Sequence, residues 1–174
     1  MNSASEFDET FDRVVQWAAN NRATIHDCIE DIFGETQLIL DLPHNTFEQL
    51  ADGGVIIRKG SVRLLPGELS VLPSHMSGDV VLVRAKEKIG KILNSMSHGT
   101  GRTMSRSECK PFSDAFNYDR LRSTVLIPDG VQNSSLRTDG PFAYRDLDDC
   151  LELIREYVDV DARFAVIAYM GHLG

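Results

Sequence analysis

The chain has 174 residues, a length that suits a single domain covering 1–174 with a hydrophobic core of its own. No apolar run approaches the ~20 residues of a membrane span, and the first residues lack the basic and apolar regions of a signal peptide, so we expect a cytoplasmic protein that makes no membrane contact. The net charge of −8 argues against non-specific nucleic-acid binding by the chain as a whole.

The first predicted element is a helix over residues 7–32. Its apolar residues recur at helical spacing, and Gly34 follows as a stop signal. The adjacent Asn20 and Asn21 leave open whether this segment forms one helix or two. The apolar stripe comprises Phe11, Val14, Val15, Ala18, Ile25, Ile29 and Ile32.

Short apolar runs bounded by turn residues predict strands through the middle of the chain. The predicted strands cover residues 38–42, 55–57, 62–65, 69–72, 80–83 and 124–127. A last helix is predicted over 146–158 and a final strand over 163–169. This order of elements predicts an α+β domain that is rich in β structure, with the candidate site residues in its loops.

Charge is distributed unevenly along the chain. Residues 84–110 hold seven bases and two acids, whereas residues 1–35 and residues 139–161 each hold eight acids and two bases. A positive segment suits a site that handles phosphate, although a charge run is more often a solvated face. The sequence leaves both interpretations open.

The most informative segment, residues 98–106, lies inside the positive segment and reads His-Gly-Thr-Gly-Arg-Thr-Met-Ser-Arg. Its two glycines let the backbone approach a bulky anion, and its two arginines add planar, permanently charged donors. In such surroundings a neutral imidazole at His98 can attack phosphorus and carry it as a phosphoramidate. The spacing also fits a glycine turn beside an ordinary polar histidine, so both interpretations stay open at this point.

This segment resembles the HGAGRxMSR signature of RtcB, the GTP-dependent RNA-splicing ligase family. Four further segments resemble elements of that family and occur in the same order. They are Pro-His-Asn at 43–45, Arg-Lys-Gly-Ser at 58–61, Leu-Pro-Ser-His-Met at 72–76 and Phe-Ala-Tyr-Arg-Asp at 142–146. With five ordered elements, the chain is identified as similar to the C-terminal part of the family, and the β-rich fold of that part, with flanking helices, is expected.

The resemblance implies the joining of RNA 3′-phosphate or 2′,3′-cyclic phosphate ends to 5′-hydroxyl ends, as in tRNA splicing and RNA repair. It implies GTP and manganese as cofactors, and His98 as the nucleophile that carries GMP covalently. His44 is implied as a ligand of both metal and nucleotide. The implied nucleotide-binding residues are His44, Asn45, Pro73, Ser74, His75, Met76, Gly99, Thr100 and Gly101.

Several elements of the family are missing or altered. Its Asp-x-Cys pair and Asn-His-Phe element, which supply further manganese ligands, have no counterpart, so His44 alone remains of the metal site. Ser74 and His75 stand where the family has glycine and serine, and Leu173 replaces a nucleotide-binding lysine. We therefore expect an incomplete ligase. The alternatives are a non-catalytic nucleotide- or RNA-binding remnant, or one half of a split ligase completed by a separate chain with the N-terminal half.

Overall fold

A computed structural model describes residues 3–43 and 45–170. They divide into two compact units, the first ending at Arg63 and the second beginning at Leu64. Helices and antiparallel sheets occur together, which confirms the predicted α+β class. The single domain over 1–174 stays a prediction. Among the described residues, no helix combines the length and the apolar character that a membrane crossing requires.

The first unit opens with one long helix, α1, over Ser3–Phe33. Asn20 and Asn21 do not divide it, and the Asn20 side chain accepts a hydrogen bond from Gln16 at 2.9 Å. The helix ends where predicted, at Gly34, which has a φ of +85° and donates its N–H to the Glu30 carbonyl at 2.8 Å. A left-handed residue that satisfies a terminal carbonyl is a common way for a helix to stop.

The strand predicted over 38–42 is wrong, because this segment forms no regular element. Leu38 and Leu40 instead line a groove against α1, and Asp41 forms an ion pair with Arg22 of the helix. A short apolar run shows that a segment is partly buried, but it does not distinguish a strand from a coil packed on a helix.

Three strands complete the first unit. Strand β1, Asn45–Gln49, pairs antiparallel with β2, Val55–Lys59, and β3 follows at Ser61–Arg63. The predictions over 55–57 and 62–65 are thus confirmed in position. The sequence Asn-Thr-Phe-Glu-Gln of β1 gave no apolar alternation, so this strand was not predicted.

The second unit is built on a three-stranded antiparallel sheet in the order β4-β5-β7. Strands β4, Leu69–Pro73, and β5, Val80–Ala85, confirm the predictions over 69–72 and 80–83. The final strand was predicted too late in the chain, since β7 spans Val158–Phe164. The reason is that the preceding helix, α5, covers only Leu147–Ile154, which leaves Val158 free to start the strand.

The charged segments of the second unit neutralise one another across this sheet. Arg84 pairs with Asp161 at 2.6 Å, and Lys86 pairs with Asp159 at 2.8 Å. Two of the seven bases of residues 84–110 are therefore paired with the acids of β7. For these residues the structure favours the interpretation as a solvated, ion-paired face over that of a phosphate site.

Short helices and loops fill the rest of the second unit. The strand predicted over 124–127 is wrong, because helix α3 extends to Thr124 and Leu126 forms only a single bridge with Ala168. The remaining elements are β6 at Ser95–Ser97, α2 at Lys110–Asp114, α3 at Tyr118–Thr124, α4 at Asn133–Leu136, and 3-10 helices at Glu87–Ile92, Ser107–Cys109 and Pro141–Ala143. A core cluster under these loops contains Met76, Leu121, Val125, Ile127, Val131 and Leu136.

Candidate functional site

The glycine-rich motif lies directly against the loop that follows β4. The Thr100 N–H donates to the Pro73 carbonyl at 3.1 Å, and a Cβ on Gly99 would lie 3.2 Å from the same oxygen. Glycine allows this close approach because it carries no side chain. Two segments that the sequence singled out separately are therefore in contact.

The other edge of the motif is held by residues 143–145. The Arg145 N–H donates to the Gly101 carbonyl at 3.0 Å, and the Thr103 N–H donates to the Ala143 carbonyl at 2.9 Å. Gly101 has a φ of +77°, which an L-residue rarely adopts. We call residues 73–79, 97–106 and 142–146 together the loop constellation.

Arg102 holds the loop constellation together from inside. Its Nη1 donates to the Thr138 carbonyl at 2.6 Å, its Nη2 donates to Cys109 Sγ at 3.1 Å, and its Nε donates to the Met104 carbonyl at 3.2 Å. Its guanidinium also lies 5.0 Å from the centre of the Tyr144 ring, in cation–π contact. Arg102 was predicted as a phosphate donor, but its donors are engaged within the protein.

His98 and Arg106 are the exposed functional side chains of the motif. His98 follows β6 directly, in a tight turn in which the Ser97 hydroxyl donates to the Gly99 carbonyl. Arg106 precedes the 3-10 helix Ser107–Cys109, and no described carboxylate lies within 4 Å of its guanidinium. An imidazole and a guanidinium are thus both exposed at the surface of the motif.

A cavity of about 450 Å³ opens beside two of the three loops. Ser74 and His75, both predicted as nucleotide contacts, line it together with residues 77–79, Pro141 and residues 144–148. Ligand sites for small molecules are commonly concavities of about 300–1,000 Å³. The cavity is therefore large enough for part of a nucleotide.

His75 presents a neutral imidazole at this cavity. Burial lowers the pKa of His75, and the charges of Asp146 and Asp79 only partly oppose this effect. The Ser77 N–H donates to His75 Nδ1 at 3.4 Å, which leaves the ring proton on Nε2. A neutral ring with a defined tautomer can donate one hydrogen bond and accept another.

Arg145 is a candidate that the sequence did not assign to a role. It lines the cavity, and its Nη1 would lie 3.4 Å from a Cβ placed on Gly101. The second arginine of the cavity, Arg163, is bound to Asp148 and lies 3.3 Å from Asp79. Arg145 has no such carboxylate within 4 Å in the described part of the chain, so its charge is available. In the sequence, Arg145 could have been found through its position in the RtcB-like Phe-Ala-Tyr-Arg-Asp segment.

Comparison with known proteins shows the family of the chain. The sequence profile of the family described as tRNA-splicing ligase RtcB matches residues 3–170. The chain belongs to the RtcB family. Two curated relatives, RNA-splicing ligase RtcB of Escherichia coli K12 and RNA-splicing ligase RtcB1 of a second Escherichia coli strain, are each 28% identical to it over 105 residues. These matches cover 60% of this chain and 25% of each relative, so the chain matches about a quarter of their length.

The remaining residues that the RtcB resemblance implied are found in different surroundings. Met76 is 3% exposed and belongs to the core cluster, so its side chain anchors the loop after β4. Asn45 begins β1 in the first unit. His44 and Leu173 lie outside the described residues. The nucleotide contacts of Met76, Asn45 and His44 stay predictions.

The RtcB-like Arg-Lys-Gly-Ser segment contains an internal ion pair. Arg58 is 3% exposed and donates to Glu48 at 2.6 Å, across the β1–β2 pair. The ion pair lowers the pKa of Glu48, and the hydrogen bond from Arg58 is the main cause. Arg58 therefore stabilises the hairpin and is not displayed for contact with RNA phosphates.

The donors that the structure brings together do not form a binuclear manganese site. In the described part of the chain, the one group of three potential ligands is His26, Asp27 and Glu30, whose donor atoms lie within 4.8 Å of one another. These residues lie on α1 in the first unit, and both His26 and Glu30 already bind the Thr36 hydroxyl. No comparable group of described residues surrounds the loop constellation.

Proposed function

We propose that this RtcB-family chain carries the nucleotide-accepting loops of an RNA ligase that joins 3′-phosphate or 2′,3′-cyclic phosphate ends to 5′-hydroxyl ends. The observation that carries the proposal is the pair of backbone contacts around the motif. Thr100 binds Pro73, and Arg145 binds Gly101, so three family segments that are far apart in sequence form one surface. His98 is exposed on one of these segments.

The surroundings of the motif support the binding of a phosphate-bearing ligand. Thr100 is 5% exposed, and its hydroxyl has no hydrogen-bond partner among the described residues, which is a costly arrangement without a ligand. Arg145 adds an available charge at the cavity. GTP remains the proposed nucleotide because the RtcB resemblance implies it.

The proposed chemistry starts at the imidazole of His98. Its lone pair attacks the α-phosphorus of GTP, a P–N bond forms, and the bond to the β-phosphate breaks with release of pyrophosphate. The guanylyl group then passes to an RNA 3′-phosphate, which returns the free imidazole. The 5′-hydroxyl of a second RNA end attacks this activated phosphate, loses its proton, and displaces GMP to seal the strand. Arg106 offers charge for the RNA phosphates.

Manganese would neutralise charge on the phosphates when bound. The described residues of this chain do not provide its ligands, and of the family's ligand positions only His44 has a counterpart. We infer that the Asp-x-Cys and Asn-His-Phe elements of an RtcB N-terminal half supply the other ligands. On its own, the 174-residue chain is expected to bind nucleotide or RNA without turnover.

A non-catalytic binding protein is the second candidate function. The observation that favours it is the same lack of a donor cluster around the loop constellation in the described part of the chain. Such a protein would keep the cavity and the exposed cations but would have no need of His98.

The two candidates separate in an RNA-joining assay. A 3′-phosphate RNA and a 5′-hydroxyl RNA are mixed with GTP, manganese and the chain, with or without the N-terminal half of a related ligase. The ligase proposal predicts joined RNA only in the complemented mixture, and none after His98→Ala. Equal joining by the wild type and by His98→Ala would contradict the proposal. RNA binding without joining in any mixture would favour the binding protein.

A further inference from the structure

A surface aromatic side chain lies beside the motif and has no role in the chemistry proposed above. Phe112 belongs to α2, Lys110–Asp114, and is 51% exposed. Its exposed neighbours on the helix are polar or small, so it is a single aromatic ring in polar surroundings and not part of a wide apolar patch.

The Phe112 ring rests on a second aromatic ring that is fixed from other directions. The rings of Phe112 and Phe142 are nearly parallel, with 6.1 Å between centroids and 18° between planes. Phe116 packs edge-on against Phe142 at 5.6 Å, and Phe116 in turn packs edge-on against Tyr118 at 5.1 Å. Phe112 is therefore the most exposed ring of an aromatic cluster, in contact with Phe142 and half open to solvent.

This cluster is rigidly connected to the motif. The 3-10 helix Ser107–Cys109 leads directly into α2, and Cys109 is fully buried where it accepts a hydrogen bond from Arg102. The Ser105 N–H donates to the Glu108 carboxylate at 2.7 Å, which closes the turn between the motif and the helix. The buried contact of Cys109 and the turn closed by Glu108 therefore connect Phe112 to the motif.

We propose that Phe112, supported by Phe142, is a stacking platform for one unpaired base of single-stranded RNA. The proposal rests on the function proposed above, because the RNA would be the strand whose terminal phosphate reaches the loop constellation. Exposed aromatic rings next to positive charge bind single-stranded nucleic acid, since every base has a face that can stack. The charge here is Arg106, which ends the motif, precedes the 3-10 helix that leads into α2, and has no described carboxylate within 4 Å.

The first test measures the affinity of the full chain for a short single-stranded RNA that ends in a 3′-phosphate, by fluorescence anisotropy. Phe112→Ala is expected to weaken binding roughly tenfold or more, because it removes a stacked base. Phe112→Trp keeps a planar ring and should retain the affinity of the wild type. The matched control is Phe164→Ala, because Phe164 in β7 of the same unit is 54% exposed and lies outside the aromatic cluster.

The second test identifies the base. The same RNA is prepared with one abasic nucleotide at each position in turn and is bound to the wild type and to Phe112→Ala. Stacking predicts one position whose abasic form binds the wild type roughly tenfold more weakly but binds Phe112→Ala no more weakly than intact RNA. Additive losses at every position would overturn the stacking proposal.

The outcomes also separate this proposal from the function on which it rests. RNA binding that is equal in the wild type and in Phe112→Ala would contradict the stacking platform alone. A wild-type chain that binds no RNA under the same conditions would contradict both the platform and the RNA-binding part of the proposed function. A loss that is as large in Phe164→Ala as in Phe112→Ala would also contradict the platform.

Discussion

The first unit exposes apolar side chains along α1, whereas the second unit buries many of its large aliphatic residues in a core. The exposed residues of α1 include Trp17, Ile25, Ile32 and Phe33. The buried residues of the second unit include Leu64, Leu72, Val81 and Leu136. The two units have a similar share of hydrophobic residues. The first unit exposes many of them along α1, whereas the second unit uses them to form a core beside its candidate site.

The difference shows what a site of this kind requires. Loops position functional groups well only when packing and hydrogen bonds fix them from behind. In the loop constellation this support is specific, since Arg102 binds the carbonyl of Thr138 and Met76 packs in the core. The stability of the second unit should therefore respond strongly to changes beneath the loops, whereas changes on the open face of α1 should have small effects.

The largest expected effect comes from truncation of a buried aliphatic residue in the second unit. Leu72 is 1% exposed, so Leu72→Ala should lower the free energy of unfolding by about 2–5 kcal/mol through lost burial and a cavity. Ile32 on α1 is 74% exposed, and Ile32→Ala should change the free energy of unfolding by less than about 0.5 kcal/mol. Urea unfolding of both variants measures the contrast. Equal losses would mean that the open face of α1 is as well packed as the core.

The next largest effect separates the two arginines of the motif. Arg102→Ala removes hydrogen bonds to Thr138 and Cys109 and leaves acceptors without partners, so we expect a loss of about 2–3 kcal/mol. The matched control, Arg106→Ala, removes an exposed side chain and should cost less than about 0.5 kcal/mol. Thermal unfolding checks both variants. A reversed order would show that Arg102 does not hold the loops.

These variants concern features that the sequence pattern predicted unequally. Short apolar runs at 69–72 and 80–83 located β4 and β5, and in the structure every second side chain of these strands is buried. The strand prediction over 38–42 is wrong because this segment packs along α1 and pairs with no other strand. Local patterns report burial, but the partner that provides it can lie anywhere in the chain.

The same reasoning applies to the candidate site. The motif located His98 and the glycines, and its spacing could not distinguish the inward Arg102 from the exposed Arg106. That distinction depends on the Thr138 carbonyl, 36 residues away from Arg102 in the sequence. Arg145 lies in the Phe-Ala-Tyr-Arg-Asp segment, but only its contact with Gly101 in the folded chain identifies it as a candidate site residue.

The smallest expected effect lies in the first unit and depends on pH. Arg58 lowers the pKa of Glu48 from its ordinary value of 4.5, so the ionised carboxylate stabilises the folded state above about pH 4.5. This contribution is lost as the pH falls through the lowered pKa of the folded state. Glu48→Gln should therefore cost about 1 kcal/mol near neutral pH and less in acid. The control is Glu35→Gln at an exposed position, and a pH-independent loss in Glu48→Gln would contradict the assignment.

The most direct test of the central claim is to locate the covalent nucleotide. The chain is incubated with GTP, manganese and the N-terminal half of a related RtcB ligase, then digested under alkaline conditions that preserve a phosphoramidate and mapped by mass spectrometry. If His98 is the nucleophile, GMP is expected on the peptide containing His98, and no adduct is expected in His98→Ala. A GMP adduct on His75, or an adduct that persists in His98→Ala, would contradict this assignment.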